Sequence, residues 1–474
     1  MAEISLLLVF LSIFGGYLLG IFSGLVPGVH TNNFALALVA FAPFLAEQGL
    51  SPFYIALIIL SNSIAHSFHD IIPSIFLGAP EGDTALAVLP GHRLLLEGAG
   101  AEAIRLSALG SAGSVIASLV FVIPFSLFFR AIYPYLEEYM AWVLLTVVFI
   151  MLSTEKEEQK SKPEKDLLSG LSGISGHILS GYKHRAFALL LFLITGFLGL
   201  FAFSKEDSLT PVINFGAASV LLPLLSGLFG ASQLVISLFT GSQIPEESIS
   251  GLHLSRKRIL RGILTGSAAG SLVAWLPGVS SAIAALLAGL FGNFDKNNLK
   301  KREKDDSIKK SGTFLFSDPQ ADPKTLESSK EFIVSVSGVN TSNAIFGLVA
   351  FLVIGKTRSG AMAAINEILS SDALNFQFLL LFFTSILLTS LLSYISTIWI
   401  GNNAHRLLRK LNYTKLCTCV LLGLALMVFL FTGLFGLFIF IISTPIGMLS
   451  SFMKVRKSHA MGVILLPVIL YFLS

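Results

Sequence analysis

The sequence predicts an all-α polytopic membrane protein of inverted-topology repeats, with two Pro-Gly broken-helix or re-entrant hairpins. Three observations lead there. The 474 residues are 54% hydrophobic and only 13% charged, with a mean hydropathy of +0.80, and apolar runs of about twenty residues recur from end to end. Lys and Arg gather in a few polar interruptions, as cytoplasmic loops of a membrane protein do. Finally, an apolar run broken at Pro27-Gly28-Val29 has a counterpart broken at Pro277-Gly278-Val279. A soluble chain of this length would need far more charge to cover its surface.

Taken in order, the candidate membrane segments are 4–26, 33–47, 53–78, 106–129, 139–153, 186–203, 211–240, 262–276, 280–292, 331–355, 374–400, 416–432, 433–452 and 458–473. The first has no Lys or Arg before it and no cleavage site with a soluble domain behind it, so it reads as a retained segment. Segments 33–47, 262–276 and 280–292 are short of a full crossing and read as half-helices. Ser153–Arg185 carries Lys156, Lys160, Lys162, Lys165, Lys183 and Arg185, and Gly292–Lys330 is richer still in Lys. Both are expected on the cytoplasmic side as solvated linkers. The division follows: 1–153 a first membrane repeat, 154–185 a charged cytoplasmic linker, 186–261 connecting membrane helices, 262–400 a second membrane repeat with a charged cytoplasmic insert at 292–330, and 401–474 C-terminal membrane helices. Cys417 and Cys419 lie two apart in an apolar run, an unlikely place for a structural disulfide. The net charge of +4 resides in loops and does not point to nucleic acid.

The basic flanks test the broken-helix idea. Arg256, Lys257, Arg258 and Arg261 precede Gly262–Phe291 and the Lys296–Lys310 cluster follows it, so both flanks favour one side. A single pass would separate them; a hairpin turning at Leu276-Pro277-Gly278 does not. After each break comes a second related element, Leu60-Ser61-Asn62-Ser63-Ile64-Ala65 and Asn340-Thr341-Ser342-Asn343-Ala344-Ile345, which suggests a duplication. Counting passes puts Glu81–Arg105 inside and its counterpart Lys356–Asp372 outside, the sign of an inverted repeat. Secondary transporters have that architecture and bind substrate and coupling ions near the midplane, where discontinuous helices meet. At such tips proline removes a donor, glycine permits the turn, and helix ends attract ions.

The stretches Gly24-Leu-Val-Pro-Gly, Leu89-Pro90-Gly91-His92-Arg93 through Arg105 with Ser107-Ala-Leu-Gly-Ser, Leu276-Pro-Gly-Val-Ser and Asn340-Thr341-Ser342-Asn343-Ala344 resemble the large membrane subunit of the tripartite tricarboxylate transporters. The likeness covers most of 15–120 and 255–370, in order. It implies uptake of small carboxylates across the cell membrane, driven by an ion gradient. A small membrane subunit and an extracytoplasmic binding protein are the partners it implies. Where the family typically has a Gly-Gly-Ser-rich turn and then a Pro-Gly-Thr or Pro-Gly-Ser element, this chain has His66-Ser67-Phe68-His69-Asp70 and then Gly78-Ala79-Pro80-Glu81-Gly82-Asp83. The second half has Ile354-Gly355-Lys356-Thr357-Arg358-Ser359-Gly360.

Residues near the breaks supply the candidate site. Pro27, Gly28, Thr31, Asn32, Asn33, Ser61, Asn62 and Ser63 from the first half, with Pro277, Gly278, Ser280, Ser281, Thr341, Ser342 and Asn343 from the second, offer backbone turns and uncharged donors and acceptors. They suit a small organic anion or a partly dehydrated Na+, and equally helix capping or interhelical bonding. His66, His69 and Asp70 fall at i, i+3 and i+4, on one helical face. Three readings of that trio stay open: coupling to H+ or Na+, a structural polar network, or an intramembrane metal-dependent enzyme. Translocation of a larger anionic or lipid-linked substrate and a non-transporting scaffold are further alternatives. Lys356 and Arg358 either draw an anion to the mouth of the site or snorkel at the interface. There is no Walker loop, dinucleotide fingerprint or paired metal motif, so no cofactor is expected and ATP-driven transport would need a separate subunit.

Overall fold

The computed structural model describes residues 5–26, 31–76, 84, 87, 90–91, 94–95, 97–155, 172–213, 219–240, 251–277, 279, 281–291, 323–369, 376–408 and 413–474. Pro27, Gly28, Gly278, Ser280 and most of the two charged linkers lie outside them. Among the described residues the chain is helical, and seven helices are long and apolar enough to cross a membrane.

Helix α1 (Leu6–Leu25) starts at Ser5, whose hydroxyl accepts from the Leu8 amide, and ends before the first Pro-Gly. Then come α2 (Thr31–Glu47), α3 (Pro52–His69), entered through a proline at its first turn, and the one-and-a-half turns of α4 (Ile71–Phe76). The 39-residue α5 (Gly100–Glu138) follows. In the second half α10 (Arg256–Val273) leads to the second Pro-Gly, and α11 (Ser281–Phe291), α12 (Pro323–Ile354), α13 (Gly360–Ile368) and α14 (Phe376–Leu408) come after it. Gly355 closes α12 at φ +67°, a left-handed conformation natural to glycine.

Three glycines at four-residue intervals hold α1 against α3. Gly20 faces the Asn62 carbonyl, the Ala65 Cβ and the His66 amide, while Gly16 faces Ile58 and Ser61 and Gly24 faces His66 and His69. The same device joins α10 to α12. Gly270 faces the Val339 carbonyl, the Ser342 Cβ and the Asn343 amide, Gly266 faces Ser335, and Gly262 faces Glu331 and Val334. Without a Cβ the helices lie flush, and packing replaces the hydrophobic drive that lipid cannot supply. In both pairs residue numbers rise together along the contact, so each pair is parallel, and the intervening helix must travel back. The glycine contacts match His66 with Asn343, one helical turn from the match that the two polar motifs suggest by residue identity. Backbone approach, rather than likeness of side chains, sets this register.

Two longer pairings cross between the halves. α5 runs parallel to α12, from Glu102 beside Lys330, through Ser107 on Ser337 and Ser118 on Ser342, to Glu137 beside Lys356. α14 runs parallel to α3, from Phe378 on Phe53, through Ser385 on Ser61, to Ser396 on His69. The start of α5 meets the end of α14, where Gly401 lies against Ile104, so the two parallel sets run in opposite directions. The helix after each break reaches the other half: α2 shares a core with α13, and α11 shares one with α4 and the buried Ala87, Leu94 and Leu95.

The remaining helices lie beside this core: α6 (Met140–Ser153), α7 (Ser172–Ser204), α8 (Leu221–Leu225), a π-helical turn (Ser226–Ala231), α9 (Ser232–Thr240), α15 (Tyr413–Phe452) and α16 (Gly462–Leu473). The sequence-predicted division of 416–452 at residue 433 is present as a kink: Gly433 has φ +72°. Beside it the amides of Val212 and Ile213 both donate to the Leu430 carbonyl, replacing the partners that the broken ladder loses.

Candidate functional site

The last turns of α1 and the middle of α3 make the first part of the site. Ser23 Oγ lies 2.9 Å from His66 Nδ1, 3.1 Å from Asn62 Oδ1 and 3.3 Å from the Gly20 carbonyl. One hydroxyl hydrogen thus serves three possible acceptors. His69 turns toward α14. Its Nδ1 is 2.6 Å from the Ala65 carbonyl, which only accepts, so Nδ1 carries a hydrogen; its Nε2 is 2.9 Å from Ser396 Oγ. Asp70 turns toward α12, where Asn340 Nδ2 donates to Oδ2 at 2.6 Å. The i, i+3, i+4 spacing therefore does not converge these groups on one point. They reach α1, α14 and α12 respectively, and tie α3 to all three.

Neighbouring hydroxyls extend the network. Ser67 Oγ and Thr341 Oγ1 are 3.1 Å apart, Ser74 donates to the Asp70 carbonyl at 2.8 Å, and Ser74 and Thr84 are 2.7 Å apart. Beside the second break, Asn343 Nδ2 donates to Ser281 Oγ at 3.0 Å, linking α12 to the first residue of α11. Thr31, the first residue of α2, is buried, as is Ser63. Ser342 bonds Ser118 at 2.6 Å and donates to the Ser267 carbonyl at 3.2 Å, which places it in the α5–α10–α12 packing. Pro277 is half-buried behind Trp275, which is fully buried and stacked on Phe129 at 4.3 Å. The side chains of Asn32 and Asn33, like Pro27, Gly28, Gly278 and Ser280, lie outside the described residues.

Depth follows from helix geometry. Asn343 lies thirteen residues beyond Lys330, or roughly 20 Å along α12, and His66 lies a similar distance beyond Pro52 on α3. The end of α1, beside His66, and the start of α11, beside Asn343, are thus deep in the bundle. Within α1, the Pro52–Phe76 span formed by α3 and α4, α5, α10, α12 and α14, away from the ends of these spans, His66, His69 and Asp70 are the only imidazole or carboxylate groups.

Both ends of the α5–α12 pair are clamped by charge. At one, Glu102 is fully buried, accepts from Lys330 Nζ at 2.8 Å and from the His253 amide at 2.6 Å. Beside it Glu331 pairs with Arg258 at 3.3 Å and Arg261 at 3.4 Å. At the other, Lys356 pairs with Glu137 at 2.7 Å. Arg358 donates to the Tyr133 hydroxyl and lies 5.3 Å over its ring; burial lowers its pKa to about 10. Both basic residues are thereby held by α5.

Sequence reasoning overlooked Ser23, Asn340 as the partner of Asp70, and the hydroxyl row of α14. The spacing of Ser385, Thr389, Ser393 and Ser396 at i, i+4, i+8 and i+11 was the available signal. Among the described residues no group of three or more His, Cys, Asp or Glu is arranged to hold a metal ion, so the metal-dependent alternative gains no cluster.

The model of the tripartite tricarboxylate transporter TctA family matches residues 10–462, nearly the whole chain and both breaks. The chain belongs to this family. Its TctA membership and the seven apolar helices among its described residues make it a multi-pass membrane protein, and the family match bears out the resemblance seen in the motifs. Over 471 residues it is 26% identical to an uncharacterised protein of Methanocaldococcus jannaschii, with 97% of each chain covered. No solved structure matches the chain. The TctA match therefore places a transporter component here.

Proposed function

We propose that this protein is an ion-coupled secondary transporter that carries small di- or tricarboxylates across the cell membrane by alternating access between inverted repeats. The observation that carries the reading is the pair of helices, α2 and α11, that begin deep in the bundle at Thr31 and Ser281, each after a Pro-Gly break. A helix N-terminus offers free amides and a positive dipole end, and two of them within the bundle suit an anion with two or more carboxylates. The repeat relation is supported by constant residue offsets. One carries Gly16, Gly20 and Thr31 to Gly266, Gly270 and Ser281. A second, larger by the charged insert, carries Ser107, Ser111 and Ser118 to Ser385, Thr389 and Ser396.

Substrate binds at the two tips, with Asn62, Thr341, Asn343 and Ser281 as nearby donors, and His66, His69 and Asp70 couple transport to H+ or Na+. The TctA family description supports a small membrane subunit and a binding protein as partners. Uptake of labelled citrate or succinate by the full chain in liposomes, under an imposed H+ or Na+ gradient, tests this. Replacing Pro27-Gly28 by Ala-Leu abolishes that uptake if the tips form the site; unchanged uptake removes them from it.

A further inference from the structure

The two hydroxyl rows related by the repeat are used differently. On α5, Ser107, Ser114 and Ser118 each bond a neighbour, and Ser111 donates to the Ser337 carbonyl at 3.3 Å. On α14, only the ends of the row are engaged with α3: Ser385 with Ser61 at 2.9 Å, and Ser396 with His69 at 2.9 Å. Between them Thr389 Oγ1 and Ser393 Oγ are fully buried without a hydrogen-bond partner among the described residues, as is Asn62 Nδ2 on the packed helix α3. Three orphaned polar groups on two packed helices are costly in an apolar protein interior, and bridging water is the usual remedy.

His69 gives this row a direction. Ser396 Oγ has one hydrogen and two acceptors, His69 Nε2 and the Ser393 carbonyl at 3.2 Å. When Nε2 is bare, Ser396 donates to it. When Nε2 takes up a proton it donates to Ser396, whose hydrogen turns to the carbonyl. We propose that the α3–α14 seam, from Ser61 and Ser385 past Asn62, Thr389 and Ser393 to Ser396 and His69, holds a file of bound water that carries the coupling proton. The proposal rests on the ion-coupled reading above and selects H+ over Na+. Each hop passes one hydrogen from an oxygen to the next while one arrives from behind, so nothing is consumed. Asp70, one residue beyond His69, links the file through Asn340 to α12 and so to the other half. At the opposite end Phe53, Phe378 and Phe382 close the seam, with ring centroids 4.4 and 5.5 Å from Phe53.

Other titratable groups around the seam are few. α1 brings Tyr17, α14 brings Tyr394 and, in its last turn, His405 and Arg406, α3 itself has Tyr54 at its start, and α12 brings none between Phe332 and Ile354. Exposed Glu47 and Glu367 belong to the ends of α2 and α13, and α5 contributes only terminal charges. His66, on the next turn of α3, has its own relay through Ser23 to Asn62.

The test uses the full chain in liposomes containing a pH-sensitive dye, with labelled citrate and succinate as probes. Thr389→Val and Ser393→Ala are expected to slow net, gradient-driven uptake and its accompanying proton flux by about tenfold, since a water file fails when one anchoring hydroxyl is lost. Exchange of citrate at equal concentration on both sides needs no net proton movement and stays within about twofold of the unmodified chain by the same reasoning. Ser111→Ala, at the matched place on α5, leaves both unchanged. Net uptake that is unaffected, or net uptake and exchange falling together, overturns the proposal. If the unmodified chain moves neither probe, the carboxylate reading fails, and the seam is judged by a density map of the full chain in lipid nanodiscs. Water within hydrogen-bond reach of Asn62 Nδ2, Thr389 Oγ1 and Ser393 Oγ supports the file; a dry seam, or one cation held by these oxygens, overturns it.

Discussion

Glu102 and Lys330 form the ion pair whose removal has the most readily derived consequence. The pair joins α5 of the first half to α12 of the second, with Glu102 fully buried and Lys330 at 4% exposure. At 2.8 Å the direct attraction is about 6 kcal/mol with an effective dielectric of ~20. Most of that offsets desolvation, so the net worth of the pair is small, yet removing one partner strands the other. Glu102→Ala leaves a buried ammonium and also orphans the His253 amide, and the expected loss is about 3–5 kcal/mol. Lys330→Met leaves a buried carboxylate and costs a similar amount. The double variant Glu102→Leu with Lys330→Met removes both charges and is expected within about 1–3 kcal/mol of the unmodified chain, the residue being the orphaned amide. Unfolding by graded SDS in mixed micelles measures all four proteins, and the double-mutant cycle gives the coupling. Single substitutions costing under about 1 kcal/mol, or a double variant as unstable as the sum of the singles, would refute the reasoning.

Three further outcomes follow from the same geometry. Gly266→Ala places a Cβ on the Ser335 carbonyl, forces α10 from α12, and is expected to destabilise by about 1–3 kcal/mol in the same SDS assay; Gly15→Ala, whose added Cβ meets open space, serves as its control. Glu155, at the end of α6, is buried, which alone raises its pKa, but His459 at 2.7 Å and Arg456 at 2.7 Å more than reverse that and hold it below the ordinary carboxylate value. Its contribution to stability is therefore present above the ordinary carboxylate range and lost as pH falls through its lowered pKa; melting temperature against pH should flatten in that acid window in Glu155→Gln, and an identical profile in both proteins would contradict the pairing. Asp70→Asn keeps the shape but removes the charge that Asn340 meets, and is expected to abolish net citrate uptake while exchange continues. Retained gradient-driven uptake in that variant would remove Asp70 from coupling.

Much of the architecture was legible because membrane insertion writes it plainly. Hydropathy located the long helices, and the two Pro-Gly pairs fall where α1 and α10 have ended. The split of 416–452 at Gly433 was also visible in the pattern. The nine-residue α13 was not, since it is shorter than any crossing and sits among polar neighbours. Nor was the register of the pairs α1–α3 and α10–α12, which glycine-to-carbonyl contacts set. In the candidate site, residue types at i, i+3 and i+4 identified His66, His69 and Asp70 as buried ionisable groups, but spacing along one helix cannot reveal that three different helices receive them. Ser23, Asn340 and Ser396 are those receivers. Asn340 heads a polar element that the sequence displays and Ser396 ends a spaced hydroxyl row, but nothing along the chain pairs either of them, or Ser23, with a group on α3.

The central claim is that two helices beginning at deep Pro-Gly breaks hold a small carboxylate whose passage is coupled to an ion. The most direct measurement is uptake of labelled citrate and succinate by the full chain in liposomes, alone and together with a small membrane subunit and a binding protein of a tripartite system. Accumulation against the carboxylate gradient when H+ or Na+ is imposed inward, collapsing when an ionophore dissipates that gradient, is the predicted result. Absence of gradient-dependent uptake of any di- or tricarboxylate in every combination would contradict the account.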